Sequence, residues 1–583
     1  MYAIEESWYG GRHPLTFPEH QEQINKQKDL LTEYREKTKA DFNELKLEGE
    51  TLDENDIFSE KNMQKARNFS ERVFEASKKC CDGFVKVSRA VIESSIANLK
   101  SCGHLAPCKF VVAALGSVAK GEATPYSDLE YAFIVEQHDE YFTKLAVDSY
   151  FRIGNLGETP LKCFDISELQ EDGGCTPYAT DMVSGYKIDG ITTWSGNIPT
   201  GNGKRNGQTL TFKVDELIEF CKKEAESKFV ELADKSDMLS STVVIYTNEG
   251  ETSKLHEKFR KAKHEYELTK ATKNKNVIKK RFESFKKDIF AYVFLPDFVE
   301  FQPPKNLKLE VKMDIFRYPT LLANNIKLCM GWNFCYPWDT FSNLHSNRFL
   351  SSENYQYINI VLALSIYMRT NAYLNQSSQI QHVSLSAYKT QHLKKLNQLP
   401  SNLFVILGCL LAPIKQSIHS TFKSCSDTSL DGLVHRLFKD VHVDKSDFLL
   451  KAEVYYFSER YGDALSELTK GIGVAVESIS CSTYLSRVSQ KSDSIRKYGE
   501  LCCYLLYYTN NYKSAVDYVS WLNTQQNGVT LWKLLAAHCE QKLGDYKAVR
   551  ELLDEVSILI LATKPGIPHS ILFFCVSNTP PFM

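Results

Sequence analysis

The run Lys109-Phe110-Val111-Val112-Ala113-Ala114-Leu115 constrains this chain most, because it passes directly into Gly116-Ser117. A short, β-rich apolar run that stops at a glycine is the signature of a buried strand. A loop with a further glycine follows, then a turn at Thr124-Pro125-Tyr126-Ser127. Asp128 and Glu130 open a second apolar run, Leu129 to Val135. The stretch therefore reads as a strand, a Gly-Ser loop and a second strand headed by Asp-x-Glu.

Each part of that order has a chemical use. Gly116 lets the backbone approach a phosphate closely, and successive N–H groups in such a loop form an anion nest. Ser117 adds a hydroxyl donor. Residues two apart on a strand share a face, so Asp128 and Glu130 point the same way. Paired hard oxygens of this kind hold magnesium together with substrate phosphates, the arrangement phosphoryl or nucleotidyl transfer needs. A third carboxylate usually completes the cluster. Asp189, in the strand-like Gly185–Ile191, is the candidate; Asp234 and Asp237 sit where the sequence reads as a helix end.

This segment resembles the nucleotidyltransferase domain of the bacterial protein-PII uridylyltransferases and their relatives in the polymerase-beta-like superfamily. Their motif is Gly-Gly/Ser, a short loop, then Asp-x-Asp/Glu. Gly116, Ser117, Gly121, Glu122, Ser127, Asp128 and Glu130 match it. More faintly, Ile188-Asp189-Gly190 falls where the family has its third strand aspartate. Ser240–Ile245 and Val311-Lys312, followed by a helix at Leu321, resemble later blocks. The resemblance spans roughly Phe110 to Ile414 and is strong over the first motif. It implies a mixed-sheet nucleotidyltransferase core, with Gly116, Ser117, Gly121 and Ser127 around a nucleotide and Asp128, Glu130 and Asp189 on Mg2+ or Mn2+. The chain departs from the family at Trp194–Gly201, which lacks the family's arginine; Lys204 or Arg205 stands nearest. No metal-dependent hydrolase motif and no small-ligand regulatory domain is visible.

Around this core the chain reads as helical. Residues 22–100 form at least two helices separated by a break at Gly49–Asp56, a partner-facing or domain-covering element. Val214–Leu232 is a further helix and Thr242–Tyr246 a strand, so the central region is mixed α/β. Lys254–Lys287 carries 13 Lys/Arg against four Glu, which reads as the solvated face of a long helix rather than a nucleic-acid track. Trp332, Phe334, Tyr336, Trp338 and Phe341 read as core. Near the end, Tyr461-Gly462-Asp463-Ala464, Asn511–Ala515 and Gly544–Ala548 repeat one frame of turn, aromatic and alanine. Ala515 and Ala548 stand 33 apart (548 − 515), near the tetratricopeptide period of about 34 residues.

The expected fold is thus multidomain, α/β plus all-α. A helical region spans 1–105, a nucleotidyltransferase-like α/β domain 106–252 and a helical domain 253–420. Tetratricopeptide-like repeats span 440–563, and a tail covers 564–583. Net charge is −2, which gives no global attraction to nucleic acid or to acidic membrane. Sixteen scattered cysteines without paired metal-ligand spacing read as free thiols of a reducing compartment. With no basic-then-apolar start after Met1 and no spanning apolar run recognised, a cytoplasmic location is expected. The expected activity is transfer of a nucleoside monophosphate from an NTP to a protein or small acceptor, with the repeats receiving a protein partner or protein substrate. The alternative is an inactive scaffold of the same fold.

Overall fold

The computed structural model describes residues 5–6, 9–11, 13–158, 211–219, 241–250, 253–267, 275–291, 308–332, 336–379, 382–384, 401–424, 430–439, 441–443, 445, 447–458, 460–472, 492–525 and 530–563. The chain divides into two compact units. One comprises Met1–Phe294, Glu310–His382 and Pro413–His442; the other comprises Leu295–Leu309, Val383–Ala412 and Val443–Met583. The first is mainly helical around a small mixed sheet, and the described residues of the second are mainly helical.

Two long helices begin the first unit, α1 (Phe17–Gly49) and α2 (Glu60–Ser101). The chain turns between them where a break was expected. Glu19 caps α1 by accepting from Thr16 N–H at 2.8 Å, and Ser59 Oγ caps α2 by accepting from Asn62 N–H. The Asn62 amide holds the turn: its Nδ2 donates to Asp53 O and its Oδ1 accepts from Asp53 N–H, both at 2.9 Å. Ile24, Leu31, Tyr34, Phe42 and Leu45 recur at helical spacing, and all are buried.

The sheet contains β1 (Phe110–Ala114), β2 (Tyr131–Val135), β3 (Thr211–Lys213) and β4 (Val243–Thr247), in the order β3-β2-β1-β4. β1 is antiparallel to β2 and to β4, while β2 and β3 are parallel. Alternate residues serve two cores. Phe110, Val112, Ala114, Tyr131, Phe133 and Val135 pack with α2 and α4 (Glu140–Asn155). Val111, Ala113, Leu115, Ala132 and Ile134 pack with Leu217, Leu255 and Phe259 on the other face. Burial on both faces explains why β1 and β2 read as continuous apolar runs. Residues 214–219 are helical as expected.

The basic stretch forms two helices, α5 (Lys254–Tyr266) and α6 (Lys275–Ala291). Lys254, Lys258, Arg260 and Lys261 are exposed, as a solvated face requires. Lys263 and Arg281 are not: both are buried, and they bind Glu267 at 2.7 and 2.5 Å. A π-helical segment, Val311–Phe316, leads into α7 (Arg317–Cys329), followed by α8 (Pro337–Ser346) and α9 (Ser352–Gln376). Next come α10 (Ser401–Ser424), which crosses the division between the units, and α11 (Leu430–Leu437). Among the described residues, Asn402–Ser424 of α10 is long and apolar enough to cross a membrane by length and composition. Its most apolar window is 72% buried, as in a core helix. That helix was not singled out in the sequence.

Among the described residues, the second unit contains three helical hairpins: α12 (Phe448–Phe457) with α13 (Tyr461–Ile472), α14 (Ser492–Tyr508) with α15 (Tyr512–Gln525), and α16 (Thr530–Leu543) with α17 (Tyr546–Thr563). Each repeated frame lies at the turn into the second helix of a hairpin. Ala464 and Ala515 are fully buried. Tyr512 and Tyr546, which open α15 and α17, stand 34 apart (546 − 512). The longer gap before α15 contains residues 473–491, outside the described residues.

The Glu267 cluster makes a stability prediction. Burial raises this carboxyl's pKa, but the Lys263 and Arg281 charges outweigh burial and bring it from 4.5 to about 2. Its contribution is therefore present above 4.5 and lost as pH falls towards 2. Glu267→Gln leaves two cations buried and is expected to cost about 3–5 kcal/mol near neutral pH. Urea denaturation checks the loss, and the variant should also show a flatter acid limb.

Candidate functional site

The β1–β2 register places the two halves of the Gly-Ser/Asp-x-Glu motif against each other. Ala114 pairs with Tyr131, and one step on Leu115 N–H donates to Glu130 O at 2.9 Å. Gly116 follows with φ 56°, opening the single helical turn α3 (Gly116–Ala119). A Cβ on Gly116 would overlap the Glu130 carboxylate, which would have to swing aside, so it is the positive backbone angle that favours glycine here. Leu129 is buried between half-buried Asp128 and Glu130, the alternation expected of two acids on one face.

The loop that carries Asp128 is anchored by its own carbonyls. Ser77 Oγ and Cys80 Sγ of α2 donate to Gly121 O at 2.6 Å and Ala123 O at 3.4 Å. Arg369 of α9 donates to Glu122 O at 3.1 Å. Ser127 N–H closes on Thr124 O at 3.0 Å. Arg35 of α1 donates to Pro125 O at 3.1 Å, stacks on the Tyr126 ring and binds Glu158 through both guanidinium arms. Gln379 Nε2 reaches Tyr126 O at 2.6 Å and Asp128 Oδ1 at 3.2 Å. Burial pushes the Cys80 thiol up to about 12, which keeps its proton available for donation.

Lys312 interacts with both acids. Burial, followed by the charges of Arg369 and Arg317, holds the Lys312 ammonium below its usual pKa, while Asp128 and Glu130 act in the opposite direction. Lys312 is therefore within electrostatic reach of both carboxylates. The Nε atoms of Arg317 and Arg369 are buried and have no hydrogen-bond partner among the described residues. The Arg369 guanidinium also lies 4.2 Å above the Phe316 ring.

Gly116, Ser117, Asp128 and Glu130 are thus brought together, with Ser117 half-buried on the helical turn. Gly121 (φ 72°) has an additional constraint: a Cβ there would strike Tyr336 and Trp338, which stack on each other at 4.8 Å. Ser127 is buried and its hydroxyl accepts from Thr124 N–H at 2.9 Å, shaping the turn. Asp189 lies outside the described residues, as do Asp234, Asp237, Lys204, Arg205 and Phe334. Phe341 is fully buried and Trp338 stacks on Phe74, a packing role for these aromatics.

Sequence reading did not single out Arg35, Arg317, Arg369 or Gln379, and it noted Lys312 only through the resemblance. A usable signal existed for Arg369, a cation directly after the apolar run Ile366-Tyr367-Met368 of α9. No family model matches this chain, and no curated protein matches it significantly.

Gly116→Ala tests the fit of glycine and carboxylate. Gly103→Ala is its control, with φ 82° and open space around the added carbon. Strain from positive φ alone is expected to cost about 1 kcal/mol in either variant. The Glu130 carboxylate, at the far end of a flexible side chain, can swing aside, so the two variants should lose similar stability in thermal unfolding; a larger loss at Gly116 would show the carboxylate held fast.

Proposed function

We propose that this chain is a metal-dependent nucleotidyltransferase that moves a nucleoside monophosphate from an NTP to a protein or small acceptor. One observation carries the reading. Two half-buried carboxylates flank a buried leucine beside a positive-φ glycine turn, after a loop anchored by its own carbonyls, with Lys312 in electrostatic reach of both and Arg317 and Arg369 close to Lys312.

The residues suit a divalent ion. Asp128 and Glu130 supply hard oxygens, and Gln379 holds Asp128 Oδ1 in place. Asp189 would complete the set as a ligand or general base in this reading. Bound Mg2+ or Mn2+ supplies charge at the phosphate oxygens and lowers the pKa of an attacking hydroxyl. The remaining work belongs to the chain. Gly116 and Ser117 offer backbone and hydroxyl donors to the phosphates, while Gly121 and Ser127 keep the loop in shape around the nucleotide. Lys312, Arg317 and Arg369 offset the charge that builds on departing pyrophosphate. The anchored loop keeps these groups in position before substrate arrives. The fold reading is a polymerase-beta-like nucleotidyltransferase core joined to tetratricopeptide-like hairpins that receive a protein partner or substrate. The site of action is cytoplasmic, with neither membrane nor nucleic acid as partner.

A specific observation favours a second reading. Lys312 and Gln379 already offset the Asp128 charge and occupy its oxygen, an arrangement that suits an inactive scaffold using the hairpins for protein interaction.

Incubation with Mg2+ or Mn2+ and each α-labelled NTP separates the two. The enzyme reading expects label transfer and pyrophosphate release, with a loss of at least about 100-fold in Asp128→Ala/Glu130→Ala. Silence with every nucleotide, together with an absence of nucleotide binding, contradicts it.

A further inference from the structure

We propose that Glu5, His13 and His20 form a zinc site, separate from the nucleotide site, that fastens the segment preceding α1 to the body of the first unit. Their ligand atoms lie within 4.8 Å of one another, the one such His/Cys/Asp/Glu group among the described residues. Both imidazole Nε2 atoms converge on a single oxygen, Glu5 Oε2, at 3.0 Å from His13 and 2.9 Å from His20. Glu5 and His20 are 1% and 2% exposed, so the donor set is removed from water. The two rings meet edge to face at 4.9 Å.

The surroundings supply the outer contacts that a metal site uses. Asn155, at the end of α4, donates to Glu5 Oε1, which leaves Oε2 for the centre of the cluster. His13 Nδ1 lies 3.0 Å from Leu15 O and 3.1 Å from Leu15 N. In the metal-free form Nδ1 accepts from Leu15 N–H, and Nε2–H donates to Glu5. With an ion bound, Nδ1–H donates to Leu15 O and Nε2 turns its lone pair to the metal, the tautomer ligating histidines adopt. Tyr9 packs edge-on against the His13 ring at 5.4 Å, and its hydroxyl binds Asp148. Asp148 pairs with Arg152 at 2.9 Å on the buried face of α4.

Donor chemistry identifies the ion. Two imidazoles and one carboxylate suit zinc, whereas Mg2+ prefers oxygen donors and retains several waters. Tetrahedral zinc with bonds near 2.0–2.1 Å sets neighbouring ligand atoms about 3.3 Å apart. The two spacings to Glu5 Oε2 need open by only a few tenths of an ångström to admit the ion. Three protein ligands leave a fourth position for water.

The test uses the full chain, stripped with chelator and titrated with Zn2+ against a chromophoric competitor. We expect one equivalent to bind, with affinity falling at least about 100-fold in His13→Gln/His20→Gln because two of three protein ligands are lost. Zinc uptake unchanged in that variant, or no uptake by the wild type, overturns the proposal. Co2+ substitution of the wild type covers the case in which the variant fails to fold. Tetrahedral d–d bands without thiolate charge-transfer absorption support the site. Thiolate bands assign the metal to cysteine, and absence of tetrahedral bands removes the site altogether.

Discussion

Every carbonyl from Gly121 to Tyr126 accepts a hydrogen bond, and five of the six donors come from outside the loop. Consecutive loop carbonyls are ordinarily satisfied by water, so their capture by protein side chains fixes the backbone that leads into Asp128. Most of these donors come from α1, α2 and α9. The long helices at the start of the chain thus do more than cover the sheet, because Arg35, Ser77 and Cys80 set the path of a loop they adjoin only through folding. Removing any one donor leaves a buried carbonyl without its partner, which costs more than a typical hydrogen bond contributes.

The sheet provides the other half of the constraint. Antiparallel pairing of β1 with β2 sets the point at which Glu130 meets Gly116, and a slip of one residue would turn Asp128 and Glu130 into the apolar layer. Burial on both faces makes such a slip costly, since every residue from Phe110 to Ala114 and from Tyr131 to Val135 is buried. The acids stand at the start of a strand that is paired on both sides, where preorganisation is easily maintained.

Much of this was legible in the sequence because it is local. Continuous apolar runs marked β1 and β2, the break near Gly49 separated α1 from α2, and turn chemistry marked the ends of the later hairpins. Gly116, Asp128 and Glu130 could be found because a strand, a positive-φ turn and a period of two are visible in a short stretch. Arg35, Arg369 and Gln379 were not legible, since nothing in their own neighbourhoods specifies which carbonyl they will meet. The basic stretch shows a similar limit. Composition described its exposed lysines correctly, but only the packed helices show Lys263 and Arg281 turned inward onto Glu267. The Glu5, His13 and His20 cluster was missed because the residues are spaced irregularly and meet only where the chain folds back ahead of α1.

The central claim is that Asp128 and Glu130 form a prearranged metal and phosphate site. Manganese binding by the full chain, followed by electron paramagnetic resonance with and without NTP, tests it most directly. The account predicts that NTP tightens manganese binding, and that Asp128→Asn and Glu130→Gln each abolish this coupling while the folded content stays unchanged. Equal manganese binding in wild type and both variants, with no response to nucleotide, would contradict it.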